Sequence, residues 1–348
     1  MSQYDYPKVI AVLGATGRQG SGVVQSLLRK TQPAFSVLAL TRDLDSASAQ
    51  PLRLEAQNNE RLQLETANVF DPDTLHRAFK GVHGVFAVTN YRAPGQQVTQ
   101  EEDLQDELIA GRNIIKAAKS WQDCGVKYFL LSSLPNIAQA SRGQFTKVFH
   151  FDHKSQIESW AKEELPATTI LHPGLFYTNM FWPQYCRRSG DGIVEFCAPV
   201  PAEKSADWVD PAYDIGEFAA DRELTSSQRF LLEGQRLLRR RPTLLSGPKI
   251  SFSELATVFE ATTSRPARFK PSTLHEWGAT VSASAGAGFE RDIRQMIEWI
   301  TVAPDDKICY GTMDPDEDQS ESDLGVRAST FQEWLERSGW TGPDDGVK

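Results

Sequence analysis

KVIAVLGATGRQGSGVVQSLLRK, residues 8–30, decides the fold. Its first six residues, Lys8 to Leu13, form a short, β-branched-rich apolar run that reads as a buried strand. Gly14, Gly17 and Gly20 follow at three-residue spacing, and residues 21–30 then carry apolar side chains at helical spacing. A glycine loop that leaves a buried strand and opens a helix is the context in which a dinucleotide pyrophosphate is held. Gly14 permits the tight turn, Gly17 lets the backbone approach the pyrophosphate, and Gly20 allows helix to pack closely on strand. The whole loop, Gly14-Ala15-Thr16-Gly17-Arg18-Gln19-Gly20, is therefore the expected phosphate seat, its N–H groups and the helix dipole attracting the anion.

Outward from that loop, strand-like and helix-like segments alternate, the signature of a parallel sheet. Strands are expected at 35–41, 62–67, 84–89, 126–132 and 168–172, and helices at 73–80 and 101–123. Gly81 suits the end of the first of these helices. Beyond Gly174 the pattern loosens. Residues 183–208, rich in Pro, Gly and aromatics, read as irregular structure around a cleft. Helical stretches recur at 253–261 and 289–299. Residues 303–325 read as an acidic exposed loop, and Thr330 with Glu333 opens a last amphipathic helix as a capping box. The expected architecture is α/β: a doubly wound Rossmann sheet over residues 1–180, to which later segments return, with a smaller α+β lobe and a C-terminal helix over 181–348.

Composition narrows the function. The 348 residues carry 37 Lys and Arg against 46 Asp and Glu, a net charge of −9, and the mean hydropathy is −0.41. A generally acidic surface argues against direct nucleic-acid binding, which depends on cations neutralising phosphates. A basic knot at Arg236 and 239–241 is the local exception and reads as a solvated helix end or an anion or partner contact. The four cysteines, Cys124, Cys186, Cys197 and Cys309, form no CxxC pair, and no histidine spacing suggests a metal. No signal peptide precedes Lys8 and no apolar run approaches membrane-spanning length. A cytoplasmic protein, also compatible with the nucleus and without membrane contact, is expected.

The end of the second strand reads Leu40-Thr41-Arg42-Asp43. An acidic residue there would bind a ribose 2′-hydroxyl, whereas an arginine accommodates a 2′-phosphate. Arg42 holds that place and Arg18 supplies a second guanidinium, so NADP(H) is expected ahead of NAD(H), with Asp43 as the contrary sign. Loops at the carboxyl ends of neighbouring strands should touch the same cofactor. They bring Asn68, Thr89, Asn90 and Tyr91, with Asn68 a candidate for the adenine.

With these pieces in place the chain resembles the NmrA-like family, atypical members of the short-chain dehydrogenase/reductase superfamily. The resemblance is carried in order by GATGRQG (14–20), TRD (41–43), VFAVTNY (85–91), SSLPN (132–136), HFDHK (150–154), ILHPGLFYTNM (170–180) and DGIVEFCAP…DWVDPAYDIG (191–216). The EWL segment (333–335) fits the family's closing helix. The resemblance implies a Rossmann domain, a smaller lobe and a cleft between them. It implies two kinds of activity: regulators that bind NAD(P) and act through protein partners, and reductases of small molecules.

Superfamily reductases use Tyr-x-x-x-Lys, the lysine binding the nicotinamide ribose, with a serine after the fifth strand. By that resemblance Lys154 stands where the lysine belongs and His150 where the tyrosine belongs, on one helical face. Histidine is a credible proton donor near neutral pH. Leu134 falls at the serine position, beside Ser132 and Ser133. After Pro173, a cofactor contact, Tyr177 and Asn179 fall on the substrate side by the same resemblance, with Tyr177 the other candidate acid. Phe176, Met180, Phe181 and Trp182 around them suggest a pocket for a hydrophobic small-molecule ligand, or a plain core cluster. The enzyme expectation is reduction of a carbonyl or enone. The other expectation is a redox-sensing co-regulator whose acidic face and 303–325 loop meet a basic protein partner.

Overall fold

A computed structural model describes residues 8–31, 35–90, 96–123, 126–165, 167–220, 243–245, 247–318, 321 and 326–343. Tyr91, Cys124, Arg236 and the arginines at 239–241 lie outside them.

The six anticipated strands form as β1 (Lys8–Leu13), β2 (Phe35–Thr41), β3 (Leu62–Thr66), β4 (Gly84–Val88), β5 (Tyr128–Ser132) and β6 (Thr168–Pro173). Each pairs in parallel with its neighbours, and a seventh strand, Thr243–Leu245, joins the outer edge of β6. That three-residue strand gives no periodic signal, so sequence alone does not show it. The spatial order is 243–245, β6, β5, β4, β1, β2, β3. The order reverses between β1 and β4, which opens a crevice at the carboxyl ends of those two strands.

The crossovers are α1 (Gly20–Arg29), α2 (Gln50–Ala56), α3 (Pro72–Ala78), α4 (Asp106–Ser120), the single turn α5 (Ile137–Ala140) and α6 (Phe149–Glu164). The helix expected over 101–123 begins as a 3-10 turn, Glu101–Gln105, and Ile109 faces outward at 53% exposure. On one face of the sheet, Val23, Val24 and Leu27 of α1 pack with Ile215 and Phe218 from a helix over 213–220. On the other face, Leu75, Ile114, Ile115 and Ile157 of α3, α4 and α6 form a second apolar layer. Val209, Leu245 and Ala328, from the second half of the chain, lie in the first of these layers.

The remaining lobe is α+β. Strand Val194–Ala198 pairs antiparallel with Cys186–Arg188 and parallel with Ala267–Pro271. Helices Phe252–Thr263, Leu274–Ala285, Glu290–Val302 and Phe331–Ser338 surround them. Three of these four helices open on reciprocal capping boxes, Ser251/Glu254, Thr273/Glu276 and Thr330/Glu333. Their core is aromatic, with Trp208, Trp277, Phe196, Phe259 and Phe331 all fully buried.

The expected exposed loop at 303–325 is corrected over its described part. Cys309 is fully buried, and Cys309, Tyr310 and Gly311 turn inward with φ of 54°, 58° and 79°. Two successive non-glycine residues in the left-handed region are strained, and the surroundings over-determine them. Asp207 accepts the backbone N–H groups of Cys309 and Tyr310, and Trp299 Nε1 donates to the Tyr310 carbonyl at 2.8 Å. Among the described residues Cys186, Cys197 and Cys309 are free and buried, no set of side chains could hold a metal, and no helix is long and apolar enough to cross a membrane.

Candidate functional site

The glycine loop has the close contacts its spacing requires. Gly14 sits at φ +67°, and the Gly17 N–H donates to its carbonyl at 2.8 Å. A Cβ on Gly20 would stand 2.2 Å from the Gly14 oxygen, so only hydrogen fits where α1 meets the strand end. Gln19 occupies the N-cap without any side-chain cap, and its Oε1 is buried without a partner. Gly17, Arg18, Gln19 and Gly20 at the start of this ten-residue helix border a cavity, a position suited to an anion.

That cavity measures about 740 Å³ and runs along the crevice from this loop to the second lobe. Thr16, Gly17, Arg18 and Gln19 line one end, together with Arg42, Asp43, Ser46 and Ser48. Arg42 is exposed at the cavity rim. The Asp43 carboxylate accepts the Asp45 N–H at 2.8 Å, which occupies it in a local turn. The Arg18 guanidinium lies over the Trp182 ring at 5.2 Å, so a residue from beyond β6 stacks on the phosphate loop. Asn68 is corrected: its Oδ1 accepts the Phe70 N–H at 3.0 Å, and Ala67, Val69 and Phe70 form the wall instead.

Thr89, Asn90, Pro173, His150 and Lys154 all border the middle of the cavity. The spacing of four on α6 brings His150 and Lys154 to the same face, and each meets a buried carboxylate from another element. The Lys154 ammonium donates to the Thr89 carbonyl at 3.1 Å and pairs with Glu107 of α4, whose side chain is wholly buried. Thr89 Oγ1 donates to that same Glu107 oxygen at 2.8 Å, while Glu107 Oε2 has no partner. His150 Nδ1 is hydrogen-bonded to Asp292 of helix Glu290–Val302, and its backbone N–H donates to the other Asp292 oxygen at 2.9 Å. The Asp292 side chain is also wholly buried.

Neither carboxylate was read from the sequence. A signal did exist for Asp292, which interrupts an apolar face made by Phe289, Ile293, Met296 and Ile297 at helical spacing. A charge at such a position is seldom buried unless it is paired.

Tyr177 is corrected as a candidate acid. It is fully buried away from the cavity, stacks between Trp208 and Trp334, and donates its hydroxyl to the Ser329 carbonyl at 3.2 Å. Burial, reinforced by Asp214, Glu333 and Asp210, pushes its hydroxyl well above the ordinary tyrosine range. Met180 is also core and Phe181 is 54% exposed, whereas Phe176, Asn179 and Trp182 do line the cavity. Leu134 borders the cavity at the serine position. Ser133 donates its hydroxyl to the Lys154 backbone carbonyl at 3.1 Å. The far wall comes from residues the sequence reading passed over: Tyr185, Phe289, Ile293, Met296 and Tyr310. Tyr310 reaches it through the strained turn and donates its hydroxyl to the Pro173 carbonyl at 3.2 Å.

The residues present fit a nicotinamide dinucleotide. The tight glycine loop would take the pyrophosphate, the rim at Arg42 the adenosine end, and Lys154 the nicotinamide ribose. An ammonium has three donors, two of which Thr89 and Glu107 use.

Comparison with known proteins agrees. The model of the NmrA-like family matches residues 7–335. A relative from Penicillium ochrochloron, the NmrA-like family domain-containing oxidoreductase ptmS, is 27% identical over 300 residues, spanning 83% of this chain and 82% of that one. Among solved structures, the negative transcriptional regulator NmrA in complex with NAD superposes with a TM-score of 0.67 at 18% identity, covering 96% of this chain and 98% of that one. The NADPH-dependent quinone oxidoreductase QOR2 from Escherichia coli, complexed with NADPH, superposes at 0.61 and 19% identity, over 95% and 100% of the two chains. Glycine loop, sheet order and a family match over nearly the whole length converge, and the chain belongs to the NmrA-like family.

Proposed function

We propose that the chain is an NADP(H)-dependent reductase of hydrophobic small molecules that carry a carbonyl or a conjugated double bond. One observation carries this reading: a single cavity joins the glycine loop to Lys154, His150 and an apolar wall. A site that only held a dinucleotide would need neither an imidazole braced by a buried acid nor an apolar chamber beyond it. The oxidoreductase relatives support the same class.

The phosphorylated cofactor is favoured by Arg42 at the rim, by Arg18 on the loop, and by Asp43 being turned into its own backbone. When bound, the cofactor supplies a hydride. Lys154 holds the ribose hydroxyls and keeps the nicotinamide end in place. Phe289, Ile293 and Met296 exclude water and receive the apolar body of the substrate. His150, its Nδ1 committed to Asp292, delivers a proton from Nε2 to the substrate oxygen and recovers it from solvent.

The test mixes purified protein with NADPH and a panel of quinones, enones and aromatic carbonyls, following loss of the reduced-nicotinamide absorbance. Turnover that vanishes in Lys154→Ala and His150→Phe supports the reading. Tight NADPH binding without turnover of any compound refutes it. The Arg42→Ala variant should lose NADPH affinity at least roughly tenfold more than NADH affinity, and equal losses refute the NADP(H) preference.

Leu134 at the serine position and Tyr177 in the core favour a second reading, a redox-sensing regulator that binds NADP(H) without turnover and acts through a protein partner. The superposition on NmrA is in line with it. The turnover test separates the two.

A further inference from the structure

We propose that Asp292 is the positioning residue of this site: it fixes the proton of His150 on Nδ1, presents Nε2 to the cavity, and stabilises the imidazolium. The inference rests on the reductase reading for its purpose, but its geometry stands independently.

A carboxylate cannot donate, so the bond between Asp292 and His150 Nδ1 requires the ring to carry hydrogen at Nδ1. The second Asp292 oxygen accepts the His150 backbone N–H at 2.9 Å, so both oxygens grip one residue and the imidazole cannot rotate without losing its brace. Phe151 and Phe289 close on the ring edge-on, with centroids at 4.7 and 5.5 Å. His150 keeps 14% of its side chain exposed, whereas Asp292 keeps none. A wholly buried carboxylate facing a mostly buried imidazole at a cavity edge is the pairing that orients a general acid in other catalytic dyads.

Here the two partners come from different lobes. His150 belongs to α6 beneath the Rossmann sheet, and Asp292 to helix Glu290–Val302, whose Phe289, Ile293 and Met296 also wall the cavity. The proton donor is therefore correctly oriented only while that helix is seated, and the seat forms the substrate chamber.

Other charges face the pair from every side. Asp152, on the same helix, is held above the ordinary carboxylate range by burial, against the pull of the Ala138 and Ile137 N–H groups. His153, on the same helix, feels Asp292 as well as Glu107 and Lys154, and its burial holds it below the ordinary histidine range. Lys147, one turn earlier, is paired with Glu101.

The experiment is ring-nitrogen NMR of the full chain with isotope-labelled histidine, the His150 signal being identified by its loss in His150→Phe. In the wild type the neutral ring should carry its proton on Nδ1. A proton on Nε2 overturns the proposal, and this reading needs no variant to fold. In Asp292→Ala the neutral ring should move toward the Nε2-protonated tautomer that free imidazole prefers, and a ring still protonated on Nδ1 in that variant also overturns the proposal. With a substrate from the panel, kcat should fall at least roughly tenfold while KM stays within about twofold, which a merely structural residue would not produce. A wild-type ring protonated on Nδ1 in a protein that reduces nothing would uphold the Asp292 pairing and refute the reductase reading alone.

Discussion

Replacing Gly20 by alanine tests the geometry on which the cofactor assignment depends. The added Cβ would stand 2.2 Å from the Gly14 oxygen, 2.6 Å from its carbonyl carbon and 3.0 Å from the Ala15 Cα. Real Cβ contacts stay outside 3.0 Å, so the first turn of α1 must retreat by about 0.8 Å, and the obstructing atoms are backbone with no rotamer to yield. Overpacking of this kind costs about 1–3 kcal/mol, or roughly 1–4 °C in melting temperature for a chain of this length. The same retreat stretches an N–H···O contact of about 2.9 Å to about 3.7 Å, beyond hydrogen-bonding range. A lost hydrogen bond to a charged group is worth about 1.5–3 kcal/mol, so NADPH affinity should fall roughly ten- to a hundredfold. Isothermal titration with NADPH and differential scanning calorimetry read both quantities. Gly190→Ala, with no heavy atom within 4 Å of the new Cβ, is the neutral control. A Gly20→Ala protein that melts and binds like wild type would show that α1 does not press on the loop and that the seat is wrongly assigned.

Three further outcomes follow from the same structure. Tyr177→Phe should leave turnover and NADPH binding unchanged while costing about 1 kcal/mol in urea denaturation, through the lost bond to Ser329; a large fall in kcat would return Tyr177 to the cleft. Glu107→Gln leaves the Lys154 ammonium, 13% exposed, without its carboxylate, and should cost about 3 kcal/mol or more with weaker NADPH binding; a loss below about 1 kcal/mol would mean that the pair is not held as described. His83 is lowered to about 4 by burial, with Lys8 and Lys127 adding to the effect. Its folded form binds fewer protons than the unfolded chain, so the stability it contributes is full above about pH 6.5 and is lost as pH falls through about 4. His83→Phe keeps the packing against Tyr128 and should flatten melting temperature against pH in that window; an unchanged slope would refute the assignment.

The sheet was legible because most of its six longer strands are apolar-rich runs and because Gly14, Gly17 and Gly20 stand between a buried strand and a helix. The pair His150 and Lys154 was legible through the resemblance to Tyr-x-x-x-Lys, the helical interval of four only placing both on one face. What escaped depends on contacts between distant elements, 47 residues apart for Lys154 and Glu107 and 142 for His150 and Asp292, which no periodicity encodes. Tyr177 misled because an aromatic beside the cleft and an aromatic in the core have the same local pattern. Its place is set by Trp208 and Trp334, far along the chain. The 303–325 segment misled by composition: most of its described acids face outward as expected, but Cys309 and Tyr310 among them are drawn in by the buried Asp207.

The face of α1 that meets the helix over 213–220 bears on how the molecule is made. Gly22 leaves no room for a Cβ beside the Ala212 carbonyl, Gly216 is pressed in turn on the Gly22 carbonyl, and Ser26 with Arg29 binds Glu217. These partners lie about 190 residues apart, and Leu245 and Ala328 reach the same apolar layer later still. On a ribosome adding about 5–20 residues per second, α1 emerges roughly 10–40 s before its cover. During that interval Val23, Val24 and Leu27 present a greasy stripe to solvent or to a chaperone. The nascent N-terminal half, although it already holds the complete phosphate loop, must wait for the C-terminal half to close over its back before it can behave as a folded unit.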